Sequence, residues 1–121
     1  MSNSAILNPL NIVITGGSSG IGKALVCRFA SAGHRVLTTY YNNEESVSSI
    51  KRQFRNVDYC FLDQGNLDSV ESFTENVRNW LRLDLPLEID TRRTVDVLIH
   101  NAALGSATVI PYIQEKYNRE A

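Results

Sequence analysis

The stretch ITGGSSGIGKAL, Ile14 to Leu25, has the residue types and spacing to hold phosphate, and it can do so in two frames. Read from Gly17, Gly17-x-x-x-x-Gly22-Lys23 is a triphosphate loop, which needs a Ser or Thr next for Mg²⁺ and an Asp closing a neighbouring strand. Ala24 stands where that hydroxyl belongs. Asp96 begins its strand, at the wrong end for a cleft, although Asp63 does follow one. Read from Thr15, Thr15-Gly16-x-x-x-Gly20-x-Gly22 is a dinucleotide turn and lacks nothing. Gly16 makes the turn, Gly20 allows the backbone to approach a pyrophosphate, and Gly22 lets helix pack on strand. The Ser18 and Ser19 hydroxyls and the nearby N–H groups, that of Ile21 included, face the anion.

Other reactive side chains carry less. Cys27 and Cys60 have no metal or redox spacing and are expected as buried thiols in a reducing compartment. Glu88 and Asp90 are expected as solvated charges, and His100, ending a strand, as a hydrogen-bonded filler. No metal site is expected.

These residues need a scaffold, and the chain alternates short aliphatic runs with segments of helical period, the signature of βαβ units on a parallel sheet. The runs NIVIT (11–15), RVLTTYY (35–41), VDYCFL (57–62) and VDVLIH (95–100) read as strands. A helix from Ser19 to Ala32 would bury Ile21, Leu25, Phe29 and Ala32, with Gly33 ending it. Val47, Ile50 and Phe54 space a second helix. A third would be capped by Asp68 with Glu71, a capping box, and would bury Val70, Phe73, Val77 and Trp80. The expected fold is α/β with a parallel sheet, in one domain over residues 1–121.

With 121 residues, 43% hydrophobic and 21% charged, the chain has the composition of a soluble domain with one core. It has no apolar run of membrane-spanning length and no secretory signal, so an intracellular, cytoplasmic protein is expected. The net charge of −1 suggests no nucleic-acid partner. Residues 1–43 contain Lys23, Arg28 and Arg35 and no acid, so the half carrying the glycines is basic, which suits an anionic ligand.

On these residues the chain resembles the N-terminal, cofactor-binding half of a short-chain dehydrogenase/reductase. Thr15-Gly16-x-x-x-Gly20-x-Gly22 matches that family's fingerprint, Asp63 the acid that contacts adenine, and Asn101-Ala102-Ala103 the N-A-G segment after the fourth strand. The resemblance implies the NAD(P)(H)-binding part of an oxidoreductase, an α/β, Rossmann-type doubly wound parallel sheet of order 3-2-1-4 ended after about four strands, with self-association through the uncovered edge. It implies a cofactor site of Gly16, Ser18, Ser19, Gly20, Ile21, Gly22, Tyr40, Asp63, Asn101, Ala102 and Ala103.

Departures from the family pattern refine this. His100 and Ala103 replace an Asn and a Gly of N-N-A-G. Tyr40 stands where an Asp would bind the adenosine ribose and repel a 2′-phosphate, which favours NADP over NAD. About ten extra residues fall near Leu81–Thr94, where Leu83, Leu85, Leu87 and Ile89 suit either an extra strand or an apolar contact strip. The family's catalytic Tyr-x-x-x-Lys is matched in letters by Tyr112 and Lys116, but far too soon after Asn101, and Ile99 stands where its Ser would. The pair reads as a decoy, so no catalytic residue is assigned and the chain alone is expected to be inactive. A non-catalytic partner of related subunits and a P-loop hydrolase are the alternative readings.

Overall fold

The computed structural model describes residues 8–82 and 93–102. Its elements run β1 (Asn11–Thr15), α1 (Gly20–Ser31), β2 (Arg35–Tyr40), α2 (Glu44–Gln53), β3 (Val57–Phe61), α3 (Leu67–Leu81) and β4 (Val97–His100). The four strands are parallel, in the order β3-β2-β1-β4. β1 lies between two neighbours, and all five of its residues are buried. A continuous apolar run is what a parallel strand covered on both faces requires.

Alternation along the strands divides the apolar side chains between two faces. Ile12, Ile14, Val36 and Val57 meet Val26 and Ala30 of α1 and Ile50 of α2. On the other face Val13 and Leu37 meet Trp80 and Leu81 of α3. Helices therefore cover the sheet on both sides, the doubly wound arrangement. Arg35 fastens α3: its Nη2 donates to the Trp80 carbonyl at 2.5 Å, and its guanidinium lies 4.4 Å from the Trp80 ring centroid.

The buried row of α1 differs from the expected one. Gly22, Val26 and Ala30 face the sheet, with Leu25 and Phe29 at the margin, while Ile21 is 75% exposed and Ala32 lies beyond the helix end. The smallness of Gly22 and Ala30 lets the helix come close, and the larger Leu25 and Phe29 are displaced to its flanks. Gly33, at φ +93°, then turns the chain away.

The cap of α3 also differs. Asn66 Oδ1 accepts from the Ser69 N–H at 3.1 Å, which makes Asn66 the cap and puts Asp68 inside the first turn. A capping side chain serves the N–H groups two or three residues on, and Asn66 is the residue at that distance from Ser69. Burial along the α3 stripe increases toward its end, from exposed Val70 through half-buried Phe73 and Val77 to buried Trp80 and Leu81.

β4 is shorter than 95–100 and has one partner strand among the described residues, and its Leu98 is 64% exposed. Cys27 and Cys60 are half-buried, each at the margin of one core cluster, rather than enclosed. Most of the extra segment near 81–94 lies outside the described residues. Among the described residues no helix is long and apolar enough to cross a membrane.

Candidate functional site

The glycine turn emerges at the C-terminal end of β1, where φ is +75° at Gly16 and +57° at Gly20, both in the region that favours glycine. Gly20 has open space where a side chain would be, with nothing within 4 Å of an added Cβ. Gly22 is the opposite, since a Cβ there would collide with the Gly16 carbonyl oxygen and the Asn101 amide. The two glycines thus serve different ends: one leaves room above the turn, the other lets the turn and helix touch.

α1 begins immediately after, and its start suits an anion. Ser19 is the N-cap residue but makes no side-chain cap bond, and the first turn holds no acid. The N–H groups of Gly20, Ile21 and Gly22 have no carbonyl one turn back to serve, so they carry the positive end of the helix dipole outward.

A cavity of about 470 Å³ opens beside this turn. Gly16, Ser18 and Ser19 form its floor, Tyr40 and Asp63 one side, and Asn101 and Ala102 the other. Seven of the residues named from the sequence are therefore brought together here. Gly20 borders an adjoining hollow that Lys23, Glu45 and Arg52 also line. Ile21 points its side chain to solvent and Gly22 lies under the turn, so neither contributes a side chain to the cavity. Ala103, Tyr112 and Lys116 lie outside the described residues.

Each wall is held by specific bonds. Asp63 Oδ1 accepts from the Gly65 N–H at 3.0 Å, and its own N–H donates to Ser69 Oγ at 2.8 Å. Tyr40 packs edge-on against Tyr59 and Phe61, with ring centroids 6.3 Å and 6.0 Å away. Asn101 Nδ2 donates to the Gly16 carbonyl at 3.1 Å, and the Ala102 N–H donates to Thr15 Oγ1 at 3.1 Å. Asn101 thus ties the fourth strand's loop to the turn. His100 is exposed, with Nδ1 3.3 Å from Thr15 Oγ1. Asp96 sits at the far end of the sheet, accepting from the Asn11 N–H at 2.8 Å.

Sequence reasoning missed the residues that hold the turn from beneath. Thr39 Oγ1 accepts from the Gly16 N–H at 2.8 Å, and the Thr39 carbonyl accepts from Gly17 at 3.0 Å. Tyr59 Oη donates to the Gly17 carbonyl at 2.8 Å, and Asn43 Nδ2 donates to that of Ser18 at 3.2 Å. Burial raises the Tyr59 phenol pKa above its usual range, so it remains a donor. These partners lie more than twenty residues from the turn, and no local pattern marks them.

The profile of the short chain dehydrogenase family matches residues 10–120. The 3beta-hydroxysteroid dehydrogenase 2 of Eggerthella lenta is 31% identical over 96 residues, which are 76% of this chain and 32% of that one. The chain thus spans less than half the length of this curated relative. Among solved structures, the reductase LugOII, described as catalysing keto-reduction at C1 during lugdunomycin biosynthesis, superposes with a TM-score of 0.65 at 28% identity, over 83% of this chain and 41% of that one. BdcA, solved in complex with NADPH, gives 0.56 at 26%, over 79% and 33%. With the glycine turn, the strand order and the profile all in agreement, the chain belongs to the short-chain dehydrogenase/reductase family.

Proposed function

We propose that the chain is the NAD(P)(H)-binding portion of an oxidoreductase whose proton-donating Ser, Tyr and Lys are supplied from outside it. The observation that carries this reading is the open cradle at Gly20 above an uncapped, acid-free helix start. A pyrophosphate fits there because its charge meets the first-turn N–H groups and its bulk meets no side chain. Ser18 and Ser19 would add hydroxyl donors, Tyr40 and Asp63 would flank the adenosine, and Asn101, Ala102 and Ala103 would border the nicotinamide side. When bound, the nicotinamide supplies or accepts a hydride. The residues of this chain bind and orient it.

NADP is the preferred cofactor in this reading, and a cytoplasmic setting accompanies it. Tyr40 and Tyr41 bring no carboxylate to the ribose position, while Lys23 and Arg52 border the adjoining hollow against the single acid Glu45. The test is titration of NADPH and NADH fluorescence with the wild-type chain and Gly20→Val. Tight NADPH binding, lost in the variant, is expected; equal affinity in both proteins overturns the assignment.

A second reading, a non-catalytic partner of related subunits, is favoured by the exposed Leu98 and Val95 on the β4 side. Both readings predict cofactor binding without turnover. NADPH oxidation over a panel of ketones separates them from a miniature reductase: turnover that disappears in Tyr112→Phe would make Tyr112 the proton donor and overturn its reading as a decoy.

A further inference from the structure

Four N–H groups in succession, from Gly16 to Ser19, lead into α1, and they divide by where they point. Those of Gly16 and Gly17 are taken by Thr39, through its hydroxyl and its carbonyl. Those of Ser18 and Ser19 have no hydrogen-bond partner among the described residues. The direction of the latter two is set by the carbonyls on the same peptide planes. Every peptide here is trans, so the Ser18 N–H points opposite the Gly17 carbonyl and the Ser19 N–H opposite the Ser18 carbonyl. Tyr59 Oη holds the first carbonyl at 2.8 Å and Asn43 Nδ2 the second at 3.2 Å.

We propose that Tyr59 and Asn43 are positioning residues for the pyrophosphate: by donating to these two carbonyls they fix the Ser18 and Ser19 N–H groups toward the anion. This inference rests on the dinucleotide reading and adds to it the device that pre-orients the turn. Two features single these side chains out. Asn43 occupies the N-cap position of α2, a place where Asn ordinarily caps, yet it makes no cap bond to its own helix and gives its amide to Ser18 instead. Tyr59 reaches from β3 across β2 to the turn, with its ring at the margin of the core. A Phe would fill the same space and leave the Gly17 carbonyl without its donor.

Preorganised donors cost a ligand no reorganisation when it arrives, and here the benefit is confined to its phosphates. The effect should therefore follow the phosphates and spare the rest of the molecule. The experiment measures the affinities of NADPH, ADP and adenosine for the wild-type chain, Tyr59→Phe and Asn43→Ala, with thermal unfolding of each. Each variant should weaken NADPH and ADP by about fivefold, the scale of one hydrogen bond, and adenosine by less than about twofold. Unchanged ADP affinity, or an equal loss for adenosine, overturns the proposal. Should Tyr59→Phe fail to fold, Asn43→Ala, whose side chain lies outside the core, decides by the same comparison. A wild-type chain that binds neither NADPH nor ADP overturns the dinucleotide reading itself, and the inference falls with it.

Discussion

The two flanks of β1 are built differently. On the β2 side, the turn that follows β1 is fastened by Thr39, Tyr59 and Asn43, and Gly17 is pressed so close to β2 that a Cβ would strike the Thr38 side chain. On the β4 side, the strand is four residues long, Leu98 is largely exposed, and a cavity of about 320 Å³ lies between β4 and α3. The first flank is closed over the glycine turn and the second presents apolar surface. The hydrogen bonds of the first flank fix the direction of the turn's backbone N–H groups, which is what the proposed recognition of an anion by main chain requires.

The largest effect should come from breaking the turn where α1 and the loop after β4 meet it. Gly22→Ala puts a methyl group into the Gly16 carbonyl and the Asn101 amide, both backbone or backbone-tied, so neither can swing away. Overpacking of this kind costs about 1–3 kcal/mol, and this case should fall near the top of that range. The urea midpoint should drop accordingly and NADPH binding should be lost. A variant as stable as the wild type would show that the turn is looser than its contacts imply.

Gly20→Ala sharpens the contrast within the same motif. Space is open there, so the cost to stability is confined to backbone strain at φ +57°, about 1–2 kcal/mol. The urea midpoint should fall less than in Gly22→Ala, while NADPH affinity should fall at least as far as stability alone would explain.

Leu98→Lys tests the open flank. An exposed side chain on an edge strand contributes little to folding, so unfolding free energy should stay within about 0.5 kcal/mol. Edge strands with apolar side chains invite pairing, and a lysine there opposes it. Sedimentation at rising concentration should show self-association in the wild-type chain and less of it in the variant; identical profiles would remove the edge from consideration.

The same contrast explains what could be read from the sequence. Strand positions were legible because short β-branched and aliphatic stretches such as NIVIT alternate with segments of helical period, and the strand order followed from the family resemblance. The glycine turn was legible because its φ angles and clearances demand glycine at fixed spacing. The buried row of α1 was not, because its contact depends on the smallness of Gly22 and Ala30, whereas periodicity gives weight to large residues such as Ile21. The α3 cap was misplaced since Asp68 and Glu71 imitate a capping box while Asn66 makes the bond. The tethers on Gly17 and Ser18 were invisible for a further reason: they join residues brought together only by the sheet.

The smallest expected effect concerns pH. Burial raises the pKa of Tyr59 above its usual 10.0 and that of Cys60 from 9.0 to about 11, because the charged forms would lose hydration; for Cys60 a bond from Asn76 opposes the shift in part. Both groups are held more strongly protonated in the folded chain than in the unfolded one. The unfolded chain therefore releases these protons first as pH rises, and the stability they contribute is complete below about pH 9 and declines as pH approaches 11. The urea midpoint should be flat from these groups at neutral pH and fall across that alkaline window. Cys60→Ala should remove part of the decline, and Tyr59→Phe a further part. Because Tyr59 also holds the Gly17 carbonyl and burial keeps its phenol protonated in the folded chain, ADP affinity of the folded protein should stay level across that window even as the urea midpoint falls. A midpoint that falls equally in wild type and both variants would place the alkaline sensitivity elsewhere and separate the stability of this flank from its hold on the turn.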